Sequence, residues 1–109
     1  MTWTVNYLPE AQDELESFDK AQQKTIQKAI KKVQQNPLPQ NEGGYGKPLG
    51  KKHNRSLTNF LKIKLLREGI RIVYKLIRIE NQMIIVVIGI RADDEVYDIA
   101  EKRKKAHKL

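Results

Sequence analysis

Five residues in the C-terminal half have the types and spacing to work on an anion: Lys62, Lys64, Arg71, Arg91 and Tyr97. They lie in Leu61-Lys62-Ile63-Lys64-Leu65, in Gly69-Ile70-Arg71-Ile72-Val73-Tyr74, and in Gly89-Ile90-Arg91 with Tyr97 following. Strand residues two apart project to the same side of a sheet. Lys62 and Lys64 therefore share one face, and Leu61, Ile63 and Leu65 take the other. Like charges side by side on a sheet oppose folding, and an anion held against that face offsets the cost.

The elements that must position these residues form a hairpin. Alternation and apolar runs predict strands over roughly 59–66, 70–79 and 83–91. Glu68-Gly69 is expected as a two-residue turn, glycine supplying the positive φ. That turn sets Leu66 opposite Arg71 and Lys64 opposite Val73, so Lys62, Lys64 and Arg71 share a surface with Lys75 beyond. A one-residue slip would invert the result. A three-residue loop over Glu80, Asn81 and Gln82 would bring Arg91 level with Arg71; a two-residue loop would turn it away unless a bulge intervenes. Met83–Ile88 is apolar on both faces and is expected as the most central of these three strands.

Upstream, Trp3, Val5 and Tyr7 alternate as a short strand, and Pro9 opens a helix carrying Ala11, Leu15 and Phe18 at helical spacing. Asp19 is the expected N-cap of a second helix, with Ala21, Ile26, Ala29, Ile30 and Val33 inward. Lys20, Lys24, Lys28, Lys31 and Lys32 mark its outer side, a solvated surface or a phosphate-tracking stripe. Pro37 and Pro39 end that helix. A loop runs from there to about Thr58, made basic by Lys47, Lys51, Lys52, His53 and Arg55. A closing helix starts near Asp93-Asp94, whose acids suit an N-terminus. From about residue 104 a basic tail is expected to fray. The order β-α-α-β-β-β-α describes one α+β domain over 1–109, with helices packed on a mainly antiparallel four-stranded sheet.

Composition narrows the class. The 109 residues carry 21 Lys and Arg against 13 Asp and Glu, a net charge of +8. All the bases fall from Lys20 onward, whereas Glu10, Asp13, Glu14, Glu16 and Asp19 precede it. Such a field draws nucleic acid, an anionic membrane or an acidic protein. With no cysteine, disulfides and thiolate metal sites are excluded. No signal peptide is read, and the longest apolar run is too short to span a bilayer, so a cytoplasmic protein with no membrane partner is expected. On these grounds alone, the cationic strand face is a general binding surface more often than a catalytic centre.

The motifs together go further. Lys-Ile-Lys-Leu, then Gly-x-Arg-x-Val-Tyr, then Arg91-x-x-x-Glu-Val-Tyr97 and a late Lys-Arg resemble the RelE branch of the RelE/ParE toxin superfamily, over nearly the whole chain. The resemblance implies a microbial-RNase-like toxin fold and a ribosome-dependent endoribonuclease that cuts mRNA in the A site. Its functional positions correspond to Lys62, Lys64, Arg71, Arg91 and Tyr97. Arg71 is the expected phosphate clamp, Lys62 the base with Lys64 stabilising charge, Arg91 the support for the leaving oxygen, and Tyr97 a stacking platform. Lys24, Lys28, Lys31, Lys32, Lys51, Lys52 and Arg55 are the expected contacts to RNA and ribosome. No cofactor and no metal is expected. His53 and His107 are placed as surface groups, against a histidine-dependent mechanism. Implied partners are a cognate antitoxin, the ribosome with its mRNA, and operator DNA reached through the antitoxin. The alternative within the superfamily is a ParE-like toxin that inhibits a protein target such as DNA gyrase.

Overall fold

The computed structural model describes residues 2–49, 57–90 and 92–109, without the side chains of Asp93 and Asp94. In chain order these form β1 (Thr4–Tyr7), α1 (Pro9–Ser17), α2 (Lys20–Gln34), a 3-10 turn (Gln40–Glu42) and β2 (Lys47–Pro48). Next come β3 (Phe60–Leu65), β4 (Ile70–Ile77), a 3-10 turn (Arg78–Glu80), β5 (Gln82–Gly89) and α3 (Asp93–Ala106). The sheet runs β1-β5-β4-β3-β2. β1 is parallel to β5 and the other pairs are antiparallel. The α+β class is as the sequence implies, and the sheet has five strands where four were expected.

The helices begin where local chemistry dictates. Pro9 occupies the first turn of α1, where its missing N–H costs nothing. Asp19 caps α2 by accepting from the Gln22 amide at 2.7 Å, while the Gln22 side chain accepts from the Asp19 amide at 3.4 Å. This reciprocal arrangement satisfies two amides that the first turn leaves open. Ile26, Ile30 and Val33 of α2 and Ala11 and Leu15 of α1 are buried in the core, whereas Ala21 is exposed.

The additional strand is β2, which pairs Lys47 with Lys62 and Pro48 with Leu61. Two residues, one of them proline, carry no alternation to read, and proline is tolerated there because β2 lies at the sheet edge. The middle strand of the last three is β4, not β5. Strand β5 is apolar on both faces because α1 and α3 both pack on it, so covered faces rather than central position explain its composition.

Two registers differ from expectation. The β3–β4 turn takes four residues, 66–69, so Leu65 pairs with Ile70, Lys64 with Arg71 and Lys62 with Val73. A displacement of two residues preserves which side each residue faces, so Lys62, Lys64, Arg71 and Lys75 still share a surface. It also brings Arg71 directly opposite Lys64. The β4–β5 turn spans 78–81, with Asn81 in the left-handed region at φ 51°, a conformation asparagine tolerates better than most residues. A bulge between Val73 and Tyr74 leaves Val86 as an extra residue on β5 and pairs Arg71 with Gly89. Continued without that bulge, the turn would have set Arg71 opposite Ile88.

Helix α3 also corrects the expected tail, since it continues to Ala106. Beyond it, the Leu109 amide donates to the Lys104 carbonyl at 2.9 Å. The Leu109 carbonyl accepts from Lys75 Nζ, and His107 Nε2 lies 2.9 Å from Glu10 Oε2 on α1. No helix of the described residues is long and apolar enough to cross a membrane.

Candidate active site

Strand alternation on β3 and direct pairing with β4 assemble the cationic face. Lys64 sits across from Arg71, and Lys62 across from the fully buried Val73. On its other side Lys62 faces Lys47 of β2. Directly opposed residues share a face, so Lys47 joins the group, an addition that loop-like sequence around it concealed. Like charges at opposed positions cost roughly 0.2–1 kcal/mol each. The fold tolerates at least two such pairs side by side.

Helix α3 covers the adjoining part of this face. Lys62 Nζ donates to Tyr97 Oη at 2.7 Å and lies 5.5 Å from the centre of its ring. Tyr97 is only 2% exposed. Its ring therefore offers no free surface for stacking in this conformation, contrary to the expected role, and its hydroxyl instead fixes the position of the Lys62 ammonium. Lys75, farther along β4, stands 5.3 Å from the centre of the Phe60 ring and donates to the Leu109 carbonyl. Burial, and then repulsion from Lys104, lowers its pKa. Lys75 thus braces the chain end rather than extending the reactive group.

What holds α3 in place is a network at the edge of β5, past the end of β1. Arg103 donates Nη1 to Glu14 Oε1 at 2.8 Å and Nη2 to Glu14 Oε2 at 3.0 Å. Its Nη1 also reaches the carbonyl of the bulged Val86 at 2.8 Å. Glu14 Oε1 in turn accepts from the Ile88 amide at 3.0 Å. One carboxylate thereby satisfies an edge amide and ties α1 to α3. Nothing local to Arg103 reveals this role, because its partner lies 89 positions away.

The opposite side of β4 is built to be rigid. Tyr74 is fully buried and donates its hydroxyl to the Pro37 carbonyl at 2.8 Å; burial pushes its pKa far up. A Cβ at Gly46 would come within 2.3 Å of that hydroxyl and 2.4 Å of Leu61 Cδ2. Arg78 and Glu42, paired at 2.7 Å, join the 3-10 turn to the β4–β5 turn.

The structure brings together Lys62, Lys64, Arg71 and Tyr97. Arg91, Lys51, Lys52 and Arg55 lie outside the described residues. Lys24, Lys28, Lys31 and Lys32 are exposed on α2, which packs against the reverse side of the sheet. Between Lys64 and Arg71 the surface dips by only about 50 Å³, lined also by Leu66 and Gly69. Such a shallow floor suits a polymer backbone laid across it better than an enclosed small molecule. Among the described residues no group of three or more histidine, aspartate or glutamate side chains could hold a metal ion.

This architecture has known counterparts. A two-arginine mutant of Escherichia coli toxin RelE in the free state superposes with a TM-score of 0.71 at 22% identity, over 94% of this chain and 98% of that one. The chain has the fold of the RelE toxin structures. A second RelE-type structure, E. coli RelE mutant toxin bound to an antitoxin RelB peptide, gives a TM-score of 0.64 at 21% identity, covering 92% and 95% of the two chains. The RelBE2 toxin–antitoxin complex of Mycobacterium tuberculosis gives 0.54 at 20% identity, over 84% of this chain and all of that one. In sequence, a putative RelE-like toxin protein of E. coli is 29% identical over 106 residues, 96% of this chain and 100% of that protein. No family model matches the chain.

Proposed function

We propose that this chain is the toxin of a type II toxin–antitoxin pair and a ribosome-dependent endoribonuclease that cuts mRNA in the A site. The observation that carries the reading is the cross-strand pair of Lys64 and Arg71 beside Lys62, a concentration of positive charge on one strand face. A face of like cations repels a metal ion and receives a phosphate. In the reaction the 2′-hydroxyl attacks the neighbouring phosphorus, the O2′–P bond forms and the P–O5′ bond breaks. The hydroxyl proton passes to a base and the 5′-oxygen gains a proton, leaving a cyclic phosphate and a 5′-hydroxyl end.

Arg71 clamps the non-bridging oxygens, its planar fork matching two of them. Lys62 takes the 2′-hydroxyl proton, and Lys64 stabilises the charge that builds in the transition state. Proton transfer alone supplies a modest share of the rate. Tyr97 contributes by holding Lys62, and Arg91 is assigned to the leaving oxygen. In-line geometry must come from elsewhere; a ribosome gripping the codon supplies it.

The RelE–RelB complexes support an antitoxin partner for this chain, one acidic and amphipathic enough to cover a basic surface. Through it the pair would reach operator DNA, in the cytoplasm. Pulse labelling of cells induced to make the protein tests the reading. Amino-acid incorporation should stop before thymidine incorporation, with Arg71→Ala harmless. An early DNA-damage response with intact mRNA would overturn it in favour of the gyrase-directed alternative.

A further inference from the structure

Among the described residues, Tyr45 is the one aromatic side chain left largely exposed, at 48%. It is not loosely held. Its amide donates to the Asn36 carbonyl at 2.9 Å, and glycines stand on both sides of it. A Cβ on Gly44 would come within 2.0 Å of the Leu38 carbonyl oxygen, and one on Gly46 would strike Tyr74 and Leu61. The backbone therefore grips the core so closely that the ring is presented outward from a fixed base. Lys32 of α2 stands 5.8 Å from the ring centre.

The ring forms one wall of a groove of about 240 Å³ along the edge of β3, floored by Ile63, Val33 and Leu65. Lysines border it from both sides of the sheet, Lys32 from α2 and Lys64 from the cationic face. The groove thus joins two sets of cations that sequence spacing keeps apart. An exposed aromatic face with cations at both ends is the arrangement that holds a stacked base between two phosphates.

We infer that the Tyr45 groove is a nucleotide subsite for single-stranded RNA, in which one base stacks on Tyr45 and the flanking phosphates meet Lys32 and Lys64. This rests on the nuclease reading for its biological role, and it adds a path: the strand leaves the Arg71 clamp, crosses the β3 edge and continues onto the Lys24, Lys28 and Lys31 side of α2. Stacking rather than hydrogen bonding implies tolerance of base identity.

The test is fluorescence anisotropy of a labelled single-stranded RNA hexamer titrated with the intact protein, using Tyr45→Leu, Tyr45→Phe and Lys32→Gln variants whose folding is confirmed by thermal melts. Tyr45→Leu should weaken binding about tenfold, in line with the loss of one stacked base. Tyr45→Phe should bind within twofold of wild type, and Lys32→Gln should flatten the salt dependence. Equal affinity of wild type and Tyr45→Leu would overturn the subsite. So would an equal loss of binding to heparin, a polyanion without bases. Ribosome-dependent cleavage by the same proteins separates the two ideas. A wild type that binds through Tyr45 but never cuts refutes the nuclease reading alone, and one that cuts while ignoring Tyr45→Leu in both assays refutes the subsite alone.

Discussion

Replacing Arg103 with methionine should cost about 2–3 kcal/mol of stability, because that side chain supplies three hydrogen bonds that join α3 to α1 and β5. Two go to Glu14 and one to the Val86 carbonyl. Breaking a fully buried ion pair costs about 3–5 kcal/mol. Here the Arg103 and Glu14 side chains keep 16% and 27% exposure, so solvent screens part of the loss and the lower figure applies. For a chain of this size that corresponds to a melting temperature lower by about 10 °C. Glu14→Gln should cost only about 1 kcal/mol, since its amide oxygen still accepts from Ile88. Urea unfolding of the two single variants and the double variant measures the coupling, expected at about 1 kcal/mol or more. Because α3 carries the Tyr97 that fixes Lys62, catalysis should fall with Arg103→Met even at temperatures where the fold persists. An Arg103→Met protein within about 0.5 kcal/mol of wild type, or single effects that simply add, would refute the clamp.

Two further outcomes follow from geometry. Gly46→Ala should destabilise by about 1–3 kcal/mol through overpacking. Its cost should shrink in a Tyr74→Phe background, which removes the nearest clashing atom; an unchanged cost in that background, read by thermal melts, would contradict the close approach. Acid should weaken the fold below the ordinary glutamate range. Hydrogen bonding to His107 holds the Glu10 carboxyl low, and the bond to Arg78 does the same for Glu42. Carboxylates depressed in the folded state stabilise it above their unfolded pKa, and that contribution is lost as pH falls through the folded value. Glu42→Gln should therefore flatten the acid limb of stability against pH, and an identical limb would contradict it.

Much of the site was legible because period-two alternation is robust. Lys62, Lys64 and Arg71 stay on one face even though the turn is two residues longer than expected, since an even displacement changes pairing but not side. The capping box at Asp19 was legible for a similar reason, its partners lying three residues apart. Features set by distant partners were not. Lys47 joins the cationic face only through a two-residue edge strand, and the bulge at Val86 is stabilised by an arginine from the last helix. The stacking role expected for Tyr97 came from the family resemblance. Its burial follows from how α3 lies on the sheet, which spacing along the chain does not determine. The apolar β5 illustrates the opposite hazard: two covered faces mimic a central strand.

The most direct test of the nuclease account is primer extension across a defined mRNA on programmed ribosomes, with free mRNA alongside and Arg71→Ala and Lys62→Met in parallel. The account predicts new ends confined to the A-site codon, dependent on ribosomes, and reduced about a hundredfold or more in either variant. Intact mRNA with folded wild-type protein, or free RNA cut as fast as ribosome-bound mRNA, would contradict it.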